Sequence, residues 1–228
     1  PHVLLGSVYL RLGFNEQAAA AFGAALERSP FFLAARLGRA TALTAAGRYD
    51  LADEDLRAAL RLWPANTDTL LEIGRLQTRR GMLDQALETF KRVTMLNDSL
   101  AEPYYHMGEI FARRGQIDEA IQVFQLCSSK NPRYPHLHLS LGDVFYRKGM
   151  LEMALRYYQG AATQDAKSVE ARLKIANTYH AMGQECDARE ALEAARDLEI
   201  DTTRRLQILD LIKQVDPACR KQGRSKPH

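Results

Sequence analysis

Glycine stands at positions 13, 47, 81, 115, 149 and 183, a spacing of 34 residues that never slips. A constant period of this length builds stacked units in which each repeat contacts its neighbours, so it excludes a single globular core of ordinary topology. Two further columns keep the same phase. Ala18, Ala52, Ala86, Ala120, Ala154 and Ala188 form one, and Phe22, Leu56, Phe90, Phe124, Tyr158 and Leu192 follow four residues later. A third column, Gly6, Ala40, Gly74, Gly108, Gly142 and Ala176, holds only the smallest side chains. In the cleanest copy, Ala101 to Tyr134, apolar residues recur at helical spacing through Tyr104, Met107 and Phe111. They resume through Ala120, Phe124 and Cys127 after Gly115, and Asn131-Pro132 closes the copy. Each unit therefore predicts helix, turn, helix, stop.

The turn glycines suit a residue at positive φ that closes the first helix of each pair. Three residues later come Glu16, Asp50, Asp84, Asp118 and Glu152, which are expected to cap the second helix or to favour its positive dipole end. Pro30, Pro64 and Pro132 stop the second helix in three units.

Leu5-Gly6 with Tyr9, Ala18, Phe22 and Pro30, and again Leu141-Gly142 with Phe145, Ala154 and Tyr158, resemble the tetratricopeptide repeat. The resemblance covers six units from Pro1 to about Thr202. It implies an all-α, right-handed superhelical solenoid of helix-turn-helix repeats, with the first helix of each pair lining a concave groove. The expected units are 1–32, 33–66, 67–100, 101–134, 135–168 and 169–202. The apolar stripe Leu206, Leu209, Ile212 and Val215 predicts a capping helix over 203–216, and 217–228 reads as a flexible basic tail. Local departures are Arg39 at an apolar position, Gln77 in an aromatic slot, and Glu185 with Cys186 in a loosened last unit.

Charge is nearly balanced, 31 basic against 28 acidic residues, which argues against a dedicated nucleic-acid or membrane surface. No apolar run reaches the ~20 residues of a membrane-spanning helix. Cys127, Cys186 and Cys219 are odd in number and widely spaced, so neither a disulfide framework nor a zinc site is expected, and a reducing, cytoplasmic compartment fits. Cys127 takes a small buried column and Cys186 reads as a turn residue. His136 and His138, two apart on an expected helix, point about 200° from one another and cannot chelate together. No nucleophile–base pair, phosphate loop or carboxylate dyad is present. Neither cofactor, metal nor catalytic residue is expected. The chain opens at Pro1 inside a helical pattern and is expected to be a piece of a longer protein, with self-association through open ends a further expectation.

Projected from the repeat register, one groove row is Val3, Leu37, Leu71, Tyr105, Leu139 and Leu173, and the next is Ser7, Thr41, Arg75, Glu109, Asp143 and Asn177. Varying polar residues on a constant scaffold are where specificity is written. Packing is favoured for Leu71 and Leu139. A third row carries Arg79, Arg113 and Arg147, a cradle for acids or, as the stronger reading, compensation of helix dipoles. Tyr105 and Tyr146 project near these arginines and add aromatic anchors. The positions that grip a C-terminal carboxylate in some relatives, and the asparagine ladder of others, hold different residues here. The partner-binding candidates are thus Leu71, Arg75, Arg79, Tyr105, Glu109, Arg113, Asp143, Tyr146 and Arg147. The expected function is a non-catalytic scaffold binding a partner peptide or helix. The alternative is a regulatory or targeting array attached to an enzyme or nucleic-acid machine outside this segment.

Overall fold

All six turn glycines take φ between 73° and 80°, the left-handed conformation that the period demands. The turn after α5 shows what this accomplishes. Met82 N–H donates to the Gln77 carbonyl at 2.9 Å and Gly81 N–H to that of Thr78 at 3.1 Å, which satisfies carbonyls left over at the helix end. The computed structural model describes residues 2–224, with side chains through 221. Among them are thirteen helices and no strand.

The chain divides into two compact units, Pro1–Ile110 and Phe111–His228, whose border falls within the seventh helix. The first unit holds α1 (His2–Arg11), α2 (Asn15–Arg28), α3 (Leu33–Ala45), α4 (Tyr49–Leu62), α5 (Thr67–Arg79), α6 (Leu83–Leu96) and most of α7 (Ala101–Arg113). In it α2 packs on both α1 and α3, and α4 on both α3 and α5. The second unit holds the end of α7, then α8 (Ile117–Lys130), α9 (Leu137–Arg147), α10 (Leu151–Gln164), α11 (Val169–Ala181), α12 (Glu185–Leu198) and α13 (Thr202–Arg224). Here consecutive helices from α8 to α13 pack in turn.

The small column does more than bring backbones close. A Cβ at Gly74 would lie 2.5 Å from the Phe90 ring, and one at Gly142 would run into Tyr158. Phe22 lies between Gly6 of its own repeat and Gly38 of the next, where added Cβ atoms would sit 2.9 and 2.5 Å from its ring. These glycines seat the large residue of the second helix, and Phe22, Phe90 and Phe124 are almost wholly buried.

The acids after each turn do not cap. Phe14, Arg48, Met82, Gln116, Met150 and Gln184 occupy the N-cap positions without a side-chain cap bond. The acids sit inside the first turn, and three of them reach a basic residue of the following repeat: Glu16 pairs with Arg48 at 3.3 Å, Asp50 with Arg80, and Asp118 with Lys148 at 2.6 Å. Side-chain caps occur instead at the first helices α5 and α11, from Asn66 to Thr69 N–H at 2.7 Å and from Ser168 to Ala171 N–H at 3.1 Å.

Both central departures from the repeat pattern have partners. Arg39 Nε and Nη2 donate to the two oxygens of Asp55 at 2.7 and 2.6 Å, a bidentate pair with Asp55 buried, and Arg36 Nη1 reaches Asp55 at 3.4 Å. Gln77 accepts from Thr89 Oγ1 at 2.7 Å.

Three expectations are corrected. Cys186 and Cys219 form a disulfide joining the first turn of α12 to α13, so the ground for a reducing compartment falls away. Cys127 is buried, as its column requires. The capping helix does not stop at 216, since α13 runs through Pro217 to Arg224. Proline removes a backbone donor there. The buried stripe nevertheless continues through Ile208, Val215 and Cys219, and Asp216 binds Arg189 of α12 at 3.1 Å and Arg220 at 2.6 Å. The rest of the expected tail, 225–228, lies outside the described residues. Finally, His136 is not on a helix. It precedes α9 at φ 62°, so the projected angle to His138 does not apply.

Candidate functional site

In the first unit the projected polar row is largely engaged in tying consecutive repeats together. Thr41 Oγ1 donates to Glu72 at 3.0 Å, and Arg75 Nε donates to His106 Nε2 at 3.3 Å, each across a separation of 31 residues. Arg75 also bridges Glu72 at 2.8 Å and Glu102 at 2.6 Å. His106 Nδ1 lies 3.1 Å from Glu109, and its ring stacks on Phe90 with centroids 5.2 Å apart. Tyr105 meets the same imidazole edge-on at 5.6 Å. Since Nε2 accepts from Arg75, the neutral ring carries its proton on Nδ1 and donates to Glu109. Burial pulls the His106 pKa down, but hydrogen bonding to Glu102 and Glu109 outweighs it and holds the group above 6.5. Hydrogen bonding from His106, opposed by burial and aided by the Arg75 charge, holds Glu102 below 4.5.

Leu71 is buried, in keeping with packing rather than recognition. Arg79 is exposed in the last turn of α5. Of the candidates in this unit, Arg75, Tyr105 and Glu109 converge on His106, while Leu71 and Arg79 stand apart from that cluster.

In the second unit Arg113 is exposed, and Arg147 Nη1 donates to the Ala112 carbonyl at 2.6 Å, near the C-terminal end of α7. That contact fits compensation of a helix end better than a cradle for acids. Asp143 behaves differently. Its Oδ1 accepts from Tyr158 OH at 2.6 Å and from Lys174 Nζ at 2.7 Å, again across 31 residues for the lysine. Lys174 Nζ also lies 5.8 Å from the centre of the Tyr158 ring. Burial and the Asp143 carboxylate both push the Tyr158 phenol well above its ordinary range, so it remains a donor.

Beside this fixed triad an open cavity of about 280 Å³ is lined by Asp143, Tyr146, Tyr158, Lys174, Asn177 and His180. Tyr146 is 37% exposed and Asn177 is exposed as well. Of the candidates, Asp143 and Tyr146 meet here, while Arg113 and Arg147 are not among the lining residues. His106, Glu72, Lys174, Tyr158 and Asn177 were not among the candidates. For Glu72, His106 and Lys174 the signal was the complementary polar pair at a separation of 31, one repeat less three residues, as in Arg75 with His106 and Asp143 with Lys174, and Asn177 stood in the projected polar row. Among the described residues no cluster of three His, Cys, Asp or Glu is placed to hold a metal ion, and no helix is long and apolar enough to cross a membrane.

Helical hairpins on a 34-residue period, each closed by a left-handed glycine, with Phe22, Phe90 and Tyr158 seated against Gly6, Gly74 and Gly142, define an α-helical repeat array. Three models of the tetratricopeptide repeat match residues 3–67, 43–109 and 108–149, and the chain belongs to the tetratricopeptide repeat family. No curated protein sequence matches the chain. Among solved structures it resembles the anaphase-promoting complex hetero-tetramer Cut9–Hcn1, at 18% identity and a TM-score of 0.77 over 94% of this chain and 42% of that one. It thus spans less than half of that relative. It also resembles PilF of Pseudomonas aeruginosa, at 19% identity and a TM-score of 0.71 over 92% of this chain and 95% of that one. YrrB, a tetratricopeptide protein with an unusual peptide-binding site, matches at 20% identity and a TM-score of 0.60 over 84% and 99%. At these identities the likenesses establish the fold.

Proposed function

We propose that the chain is a protein-interaction scaffold with no chemistry of its own, and that a segment of a partner protein binds on first-helix faces of the array. In the second unit the contact centres on Asp143, Tyr146 and Asn177. The observation that carries this reading is the open cavity beside the Asp143–Tyr158–Lys174 triad. A rigid, fully bonded polar floor with an exposed tyrosine and an exposed amide at its edge is a preorganised surface of the kind that binds without paying for its own ordering. The peptide-binding site of YrrB and the assembly of Cut9 with Hcn1 lend support from the same fold. The mixed charge of the surrounding side chains favours a protein over a nucleic acid as the partner.

A photo-cross-linking residue placed at Asn177, with a second at the exposed Arg133 as control, tests the reading in extracts of the native source. A discrete protein adduct at 177 that disappears in Tyr146→Glu, with helicity unchanged, is expected. Equal adducts at both positions, or adducts indifferent to Tyr146→Glu, would move recognition away from this face.

A further inference from the structure

Only one oxygen of Asp143 is engaged by its neighbours. Oδ1 accepts from both Tyr158 and Lys174, whereas Oδ2 accepts no hydrogen bond among the described residues, and the side chain is 45% exposed. The carboxylate that lines the cavity is thus held in place through one oxygen with the other still able to accept. Asn177 makes no side-chain hydrogen bond among the described residues either, so its carbonyl is a second acceptor on the same cavity. Charge points the same way. Lys174 Nζ lies 2.7 Å from Asp143 and 3.9 Å from Glu170, and His180 Nδ1 lies 2.9 Å from Glu185. The carboxylates of Asp143, Glu170 and Glu185 therefore stand against one ammonium and one imidazole, so this group of side chains is net negative in either protonation state of His180. Arg147, beside Tyr146 in the chain, is bonded to the Ala112 carbonyl and does not line the cavity.

We infer that this cavity accepts the side chain of an arginine in the partner segment. The inference rests on the reading of the cavity as a binding surface, and adds to it the chemistry of the residue bound. A guanidinium carries several donors in one plane, enough for both Asp143 Oδ2 and the Asn177 carbonyl, and it has a flat face for the ring of Tyr146. Other side chains fit less well. An aspartate or glutamate would meet the carboxylates of Asp143 and Glu170, and the Lys174 ammonium that could attract it is already shared between those two. A lysine would set a second compact ammonium beside that of Lys174 and has no planar face to lay on tyrosine. An apolar side chain would cover a charged oxygen without bonding it.

The test pans a phage-displayed library of random peptides on the 228-residue protein and keeps the clones that fail to bind its Tyr146→Ala variant. Those clones are expected to share an arginine. In a synthetic peptide from the best of them, citrulline, which has the shape of arginine without its charge, should weaken binding by about tenfold in fluorescence anisotropy. Asp143→Asn, which keeps an acceptor for Tyr158 and Lys174, should remove most of the difference between arginine and citrulline. Circular dichroism verifies that the variants fold. Should Asp143→Asn disturb the fold, the exposed Asn177 supplies the sign of the charge: Asn177→Asp should tighten binding of the arginine peptide by about threefold and Asn177→Lys should weaken it. Clones that depend on Tyr146 but share no arginine, or that bind Asn177→Lys more tightly than Asn177→Asp, overturn the inference and leave the binding surface standing. Failure to recover any clone that depends on Tyr146 overturns both.

Discussion

Asp55 sits buried between Arg36 and Arg39, and its two short bonds to Arg39 make it the partner of a residue that breaks the repeat pattern. Asp55→Ala should cost about 2 kcal/mol in urea unfolding, because it strands a partly buried guanidinium. Adding Arg39→Leu, which restores the apolar residue usual in that column, should recover most of the loss. A double variant as unstable as the single one would show that the pair does not act as a unit. Arg39 and Gln77 look like isolated departures in the sequence, because their partners lie on the other helix of the hairpin. Yet Asp55 and Thr89 occupy the same repeat column, and a column that turns polar wherever its neighbour does was a readable sign. His106 makes a second prediction. Its folded pKa is raised, so its contribution is fully present below about 6.5 and is lost as pH rises through the folded value. The folded pKa of Glu102 is lowered, so its contribution is present above about 4.5 and is lost as pH falls through the folded value. The difference in melting temperature between the protein and His106→Gln should therefore be greatest near pH ~5.5 and shrink toward pH ~8. A difference that is flat across that range would contradict the assigned contacts.

At the scale of helices and turns, two kinds of glycine carry opposite predictions. Gly74→Ala places a methyl 2.5 Å from a buried ring and should destabilise by about 1–3 kcal/mol, partly reversed by Phe90→Leu. Gly115→Ala meets no atom within 4 Å but stands at φ 77°, so it should cost about 1 kcal/mol that no second-site change in packing recovers. Guanidinium unfolding of the four proteins separates the two mechanisms. The turn glycines were fully legible from their period alone, since only one backbone conformation closes these hairpins. Of the two roles expected of the acids that follow them, capping does not occur, whereas a place in the first turn, at the positive end of the helix dipole, does. Cap geometry depends on which residue leaves the helix first, and a position three residues past a glycine is already inside the first turn. The floor of the candidate site was likewise half legible. Asp143 and Tyr146 follow from register, whereas Lys174 and Tyr158 join them only because consecutive repeats stack with a fixed offset.

At the scale of the whole chain, an array with nearest-neighbour contacts spreads its stability over local contacts, so a single cross-link acts on the helices it joins. The disulfide was hidden in the sequence because its cysteines belong to elements of different kinds, a loosened last repeat and a helix outside the period. Its consequence is an asymmetry in time rather than in structure. Closing 33 residues of chain removes about 3–4 kcal/mol of freedom from the unfolded C-terminal end in the chain-entropy account. In native-state hydrogen exchange the amides of α12 and α13 should exchange only with deep unfolding. Under a thiol reductant the C-terminal helices should lose that advantage and fray as a terminal hairpin does, while the exchange of α1 stays as it was. The oxidised molecule, on this account, holds α12 and α13 together longer than the reduced one does.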